Sequence, residues 1–393
     1  MVESTPVAAG QQCVSGAELL HRAQTLRPGL LERQAEAERL RRLPEVTMQE
    51  FHAAGILRAI QPVAFGGFET DFIDLIDIAF DIARACGASG WVYAVLGAHA
   101  AMIANFSEHA QEEVWGRNPH TLAASSLTAM GRFRRVDGGY IVNGYWRYAS
   151  GCEYCTYLIA GGESEERDAE GRCPRRRFLL PIAKMDIIDD WHVMGLAGTG
   201  SKSLCAQDLF VPDWLSLSDQ EFLTNTGPGR TLHDHCHLYR LSRAAHPGPL
   251  SLAIAGVGMA QHAVDYFTEQ CDDMGVGRTN AAERQVIRHD LAESATEVDA
   301  ARLLIRRTVH EIERAGKDRL EPVPKALIEL ARRDRFFATR LALRATERLF
   351  RAAGSSALFD GNELQRCFRD VHAVASRVTR LGMIGAATGS TET

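Results

Sequence analysis

Lysine is nearly missing from this chain of 393 residues: only Lys184, Lys202, Lys317 and Lys325 occur, and the other 40 of its 44 basic residues are arginine. That skew reads as coding composition except where an individual arginine has a task. A basic surplus is missing too, since 50 acidic residues leave a formal charge of -6, and nothing in that balance points to nucleic acid or an anionic membrane as partner. No apolar run is long enough for a membrane span. The longest mostly apolar stretch, Trp91 to Phe106, has 16 residues and includes His99 and Asn105, which suits a buried helix. The start, Met1-Val2-Glu3-Ser4, has no basic-then-apolar leader, and the nine cysteines are odd in number and scattered, so reduced thiols in a cytoplasm are expected and not a disulfide framework. A G-x-G-x-x-G after a strand is also lacking. Gly195 to Lys202 only approximates a phosphate loop, because Ser201 stands where that loop needs glycine.

What is present is an ordinary globular composition in three textures. From Glu18 to about Gly116 apolar residues recur at helical spacing, as in Phe72, Leu75, Ile76, Ala79 and Ile82, and Thr47 before Met48-Gln49-Glu50 reads as a capping box. Between His120 and about Asp219 short β-branched runs alternate with turn residues, and Asp137-Gly138-Gly139 and Asn143-Gly144 read as hairpin turns. The charged stretch from Glu163 to Arg177 reads as a solvent loop within it. From Pro249 onward four long helical patterns, near 249–274, 279–316, 322–353 and 361–386, imply an antiparallel four-helix bundle. The expected order is therefore an N-terminal helical domain over 1–119, a small antiparallel β-barrel or sheet domain over 120–218, and a C-terminal four-helix bundle with its preceding loop over 219–393.

Two clusters have metal-like or redox-like spacing. His233, His235, Cys236 and His237 share one loop, where they either hold zinc or copper with a distant fourth ligand or are incidental neighbours. No metal is expected there. Cys152-x-x-Cys155 is either a redox pair or two packed thiols, and its place at a strand start favours packing.

Five short motifs occur in order: Phe65-Gly66-Gly67-Phe68, Trp91-Val92-Tyr93 leading to His99, the run from Asn143 to Cys152, the segment from Trp191 to Ser201, and Arg366-Cys367-Phe368-Arg369-Asp370-Val371-His372. Together they resemble the acyl-CoA dehydrogenase fold group and, within it, the oxygenase components of two-component flavin-dependent monooxygenases such as p-hydroxyphenylacetate 3-hydroxylase. The resemblance runs from about residue 20 to 388. It implies a protein mainly α with a central β domain, supplied with FMNH2 or FADH2 by a separate NAD(P)H:flavin reductase. Such a protein uses O2 through a C4a-hydroperoxyflavin to hydroxylate a small aromatic or phenolic substrate, and it assembles as a homotetramer.

The resemblance also assigns roles. Ser150 is the hydroxyl expected near flavin N5, Trp146 lines the ring, and Thr199 and Ser201 meet the flavin edge or tail. Arg243 steadies the charge of the reduced flavin. Ser355 and Ser356 either meet the flavin or form a plain interhelical turn. His99, in the middle of an apolar helix, faces the substrate, and Ser125 adds a pocket hydroxyl. Many relatives place a histidine seven residues after the Asp of Arg-Asp, where this chain has Arg377. His372 lies about 140° from Arg377 around a helix, so either His372 takes over the proton handling or Arg377 faces the substrate as a fixed cation. An acyl-CoA dehydrogenase-type flavoenzyme is the alternative, disfavoured because no acidic residue occurs between Asp370 and Glu392. An oxygenase acting on nitrogen or sulfur and a non-catalytic homologue without flavin are the others.

Overall fold

A computed structural model describes residues 14–242, 246, 248–273, 281–319 and 323–387. The N-terminal part is helical: α1 (Gly16–Glu32), α2 (Gln34–Leu40), α3 (Glu45–Ala54), α4 (Phe72–Ala85), α5 (Gly87–Ile103) and α6 (Glu108–Gln111). Ser15 caps α1 by accepting the Glu18 N–H, and the Asp74 carboxylate accepts the Asp71 N–H at the start of α4. The capping box expected at Thr47 is not formed. Helix α3 begins after Pro44, whose fixed φ of -57° suits a helix start, and Thr47 is buried inside the first turn with its hydroxyl accepting from Arg33. Helix α5 is buried on almost every side, which is why an apolar run of this length needs no membrane. Among the described residues no helix is long and apolar enough to cross one.

The middle of the chain forms one seven-stranded sheet from β1 (Ala123–Val136), β2 (Gly139–Ala149), β3 (Tyr157–Ser164), β4 (Arg175–Pro181), β5 (Asp186–Ile188), β6 (Lys202–Pro212) and β7 (Ser216–Ser218), in the order β5-β6-β2-β1-β3-β4-β7. The expected antiparallel barrel needs two corrections. The sheet is mixed, because β1 and β3 run parallel, with Ala123 opposite Tyr157. It is also open, because its two end strands, β5 and β7, are not paired with each other. The cause of the parallel pair is the turn 150–156. It carries the chain past the start of β1 to the far side, where the Thr156 and Tyr157 amides donate to Leu122 O. Turn residues announce a reversal but do not say on which side the chain returns. Asp137-Gly138-Gly139 is the β1–β2 turn, as expected. Asn143-Gly144 is not a turn but an irregularity within β2, where Asn143 Oδ1 accepts the Asp208 N–H at 2.7 Å.

After α7 (Asp219–Thr224) and α8 (Gly229–Leu232) come four long helices, α9 (Gly248–Asp273), α10 (Ala281–Lys317), α11 (Lys325–Ala352) and α12 (Glu363–Ala387), within a few residues of the expected spans. Helix α11 packs on α9, α10 and α12, while α9 also packs on α4 and α5. The N- and C-terminal helices therefore share one core, and α5 runs between that core and the sheet.

Candidate functional site

The end of β2 and the loop before β6 meet α5 through a chain of hydroxyls. Trp91 Nε1 donates to Ser150 Oγ at 3.1 Å, Ser150 and Ser201 lie 2.7 Å apart, Ser201 and Thr199 lie 2.7 Å apart, and Thr199 Oγ1 donates to Leu196 O at 2.7 Å. All three hydroxyl residues are buried. The direction of this chain is fixed at both ends, because an indole N–H can only donate and a carbonyl can only accept. Thr199 gives its proton to Leu196, so it must accept from Ser201, which must accept from Ser150. Ser150 Oγ thus receives Trp91, gives its proton to Ser201, and keeps one lone pair. It can offer a ligand an acceptor but not a donor.

Further along α5, His99 is buried with Nδ1 2.7 Å from Ala123 O and Nε2 2.9 Å from Ser125 Oγ. The carbonyl accepts, so Nδ1 carries the proton, and in the neutral ring Nε2 accepts from the Ser125 hydroxyl. This pairing was legible in the sequence as two separate candidates, and the structure joins them. Trp91 and His99 are eight residues apart, about 12 Å along the helix axis. One helix therefore serves both the Ser150 chain and the Ser125 pair.

Strand β2 decides which aromatic residue faces outward. Strict alternation puts Trp146, Tyr148 and Ser150 on one face, but the register with β6 slips between Trp146 and Ala149, and Tyr148 adopts a left-handed φ of 66°. Trp146 is consequently wholly buried, its N–H donating to Gly161 O at 2.9 Å, and a side chain on Gly144 would lie 2.6 Å from its ring. Trp146, expected to line a ligand ring, has no exposed surface in this structure. Tyr148, which sequence reasoning passed over, is 53% exposed and meets Trp191 edge to face at 6.1 Å. The only sequence signal for it was its position two residues before Ser150.

The loop from Trp191 to Ser201 is anchored to α12. A side chain on Gly195 would lie 2.2 Å from Arg369 O, and the Leu196 N–H donates to Asp370 Oδ1 at 2.6 Å. Leu196 O accepts from Trp191 Nε1 at 3.1 Å as well as from Thr199. Burial pushes the Asp370 carboxyl up to about 6.

The remaining candidates are placed elsewhere. His372 does not join His99: its Nδ1 lies 2.7 Å from Phe368 O, its Nε2 lies 3.1 Å from Glu347 on α11, and its ring packs on Phe368. These contacts place it at the α11–α12 interface. Arg377 is half-buried on α12. Ser355 and Ser356 are exposed, and the Ser356 hydroxyl donates to Ala353 O, as in a plain turn. Arg243 lies outside the described residues.

The three loop histidines take different polar partners, although the rings of His233 and His235 meet edge to face at 6.2 Å. His233 meets Gln111, His235 meets Glu69, and His237 meets Asp71. Asp71, His237 and Glu313 do bring ligand atoms within 4.8 Å of one another, and there Lys317 Nζ, 2.7 Å from Asp71, supplies the cation. Cys152 and Cys155 are unbridged, and burial pushes the first up to about 12 and raises the second, as packed thiols require.

A reduced flavin fits this donor set. Its ring carries N–H groups, one of which matches the remaining lone pair of Ser150, and the exposed Tyr148–Trp191 corner offers an aromatic wall beside it. That lone pair would suit an N–H of the reduced ring better than a bare ring nitrogen of the oxidised one.

Two family profiles match the chain: acyl-CoA dehydrogenase, N-terminal domain, over residues 23–118, and acyl-CoA dehydrogenase, C-terminal domain, over residues 250–379. The chain is 35% identical over 359 residues to the flavin-dependent monooxygenase, oxygenase subunit HsaA, of Rhodococcus jostii (strain RHA1), with 90% of this chain and 92% of that protein covered. It is 29% identical over 363 residues to the p-hydroxyphenylacetate 3-hydroxylase, oxygenase component, of Acinetobacter baumannii, with 91% and 85% covered. The crystal structure of 3-HSA hydroxylase from Rhodococcus sp. RHA1 superposes with a TM-score of 0.86 at 32% identity over 96% of this chain and 98% of that one.

Proposed function

The chain belongs to the acyl-CoA dehydrogenase family, among the oxygenase subunits of flavin-dependent monooxygenases, and from that premise we propose that it hydroxylates a small phenolic substrate with reduced flavin and O2. The observation that carries this reading is the oriented hydroxyl chain, which leaves Ser150 as an acceptor, with His99, the partner of Ser125, on the same helix as Trp91. Bound reduced flavin supplies the activation of O2. Ser150 Oγ accepts an N–H of the ring, and Trp91, Ser201 and Thr199 hold it in that role. Val92 and Leu96, packed against Gly151, form an apolar wall that excludes water. Ser125 Oγ accepts the phenolic hydrogen, and His99 Nε2 takes the proton, which leaves the substrate ring more electron-rich.

The same kinship supports the finer points. A separate NAD(P)H:flavin reductase delivers FMNH2 or FADH2, since no nicotinamide-binding loop occurs in the sequence. Arg243 steadies the negative charge of the reduced flavin, Ser355 and Ser356 meet the flavin, and Arg377 faces the substrate as a fixed cation. The four C-terminal helices act as a bundle that assembles a homotetramer in the cytoplasm, with domain boundaries near residues 119 and 218. The test combines the protein with a generic flavin reductase, NADH and a panel of phenols, reading O2 uptake and product mass. Uptake that yields a hydroxylated product supports the reading. Uptake that yields only hydrogen peroxide with every phenol would overturn the substrate class.

A further inference from the structure

We propose that Asp370 is a positioning residue for the flavin-facing hydroxyl chain: through the Leu196 amide its carboxylate fixes the carbonyl that sets the direction of the chain, and so keeps Ser150 an acceptor. This rests on the reading of the site as a reduced-flavin site. Leu196 has a φ of 56°, a left-handed conformation that costs a residue with a side chain about 1–2 kcal/mol and persists only when its surroundings enforce it. Here the enforcement is visible on both sides of the residue. Its N–H is held by Asp370 at 2.6 Å, and its C=O receives Thr199 Oγ1 at 2.7 Å and Trp191 Nε1 at 3.1 Å. The carbonyl is the acceptor end of the chain, so its orientation determines which way every hydroxyl proton behind it points. If Leu196 relaxes, Thr199 loses its acceptor, the polarity of the chain is no longer forced, and Ser150 can turn its proton toward a ligand.

The carboxylate is suited to this task and little else. It is buried against Gly87, beside a cavity of about 10 Å³, room for roughly one water, lined among others by Gln34, Glu38, Cys86 and Arg366. The charged and titratable groups around it are Glu38 from α2, Cys86 ahead of α5, and Arg366, Cys367 and Arg369 from α12 itself. Both arginines are already paired with Glu38, and Arg366 also with Glu363. A buried carboxylate whose neighbouring arginines are engaged elsewhere is costly to keep, and among the described residues its hydrogen bond is the one from the Leu196 amide.

The test measures amide hydrogen exchange over 191–201 in the flavin-free protein, and dissociation constants for FMNH2 and FMN under argon, in the wild type, Asp370→Ala and Asp370→Asn. Asp370→Ala is expected to speed exchange at Leu196 and Ser201 and to lower the FMNH2-over-FMN preference about tenfold, the loss of one buried hydrogen bond to a charged group. Asp370→Asn, whose side-chain oxygen still accepts, recovers part of both. The wild type approaches the asparagine variant as pH falls through about 6, where the carboxyl protonates. Exchange unchanged in both variants overturns the proposal whatever the flavin data. Exchange that responds in a protein that binds neither flavin overturns the functional reading instead, so the two failures are distinguishable. Should Asp370→Ala not fold, the asparagine variant and the pH series carry the test.

Discussion

Replacing Ser150 by alanine removes the first hydroxyl of the chain and leaves two different deficits. In the protein alone, the Trp91 N–H loses its acceptor while only 7% exposed, which costs about 1–3 kcal/mol and lowers the melting temperature modestly. At the flavin, the loss is selective. Reduced flavin gives up a hydrogen bond to Ser150, worth about 0.5–1.5 kcal/mol, whereas oxidised flavin is relieved of a lone pair facing a lone pair, an unsatisfied contact of about 1–3 kcal/mol. The two changes act in the same direction on the preference for the reduced form, which is expected to fall by about 10-fold at the low end of these ranges and about 1,000-fold or more at the high end. Anaerobic titration of FMNH2 by tryptophan quenching, beside equilibrium dialysis of FMN, gives the ratio directly. Ser150→Thr, which keeps the hydroxyl, should retain the preference. An unchanged ratio in Ser150→Ala would refute the claim that the residue acts as an acceptor for the reduced ring.

Other consequences follow from particular contacts. Ser125→Ala takes away the hydroxyl between the substrate and His99 Nε2 and should lower hydroxylation about 100-fold or more, with FMNH2 affinity unchanged in the same anaerobic titration. Gly195→Ala places a methyl 2.2 Å from Arg369 O, and thermal unfolding should report a loss of about 1–3 kcal/mol as α12 and the loop separate. Burial pushes the Glu313 carboxyl up to about 7, above its unfolded value of 4.5, so ionisation weakens the folded state and stability falls as pH rises through 7. Glu313→Gln keeps an acceptor for the Ile73 N–H and should be more stable than wild type by up to about 3 kcal/mol in urea melts at pH 8, with the difference shrinking toward pH 5.

The helical parts were legible because their apolar period is long, and the four C-terminal spans were placed within a few residues. Local signals with two outcomes failed. Thr47 has the residues of a capping box, but Pro44 starts the helix earlier. Asn143-Gly144 has the residues of a hairpin turn, but the strand continues and absorbs an irregularity. The site shows the same division. His99 and Ser125 were both legible, and only packing of α5 on β1 could reveal that they touch. The burial of Trp146 and the exposure of Tyr148 were not legible, because a register slip of one residue reverses which face a side chain occupies. The contact of His372 with Glu347 was not legible, because helical period gives its angle to Arg377 and not which neighbour that face meets. Asp370 was noticed only as part of a motif, since its partner, the Leu196 amide, lies 174 residues away.

The most direct test of the central claim is the fate of O2 labelled with heavy oxygen, supplied to this protein with a flavin reductase, NADH and a phenol. The account predicts one heavy oxygen atom in the hydroxylated product and one in water, with product formation lost when the reductase is omitted. Unlabelled product, or a protein that instead oxidises an acyl-CoA thioester with a dye in the absence of O2, would contradict it.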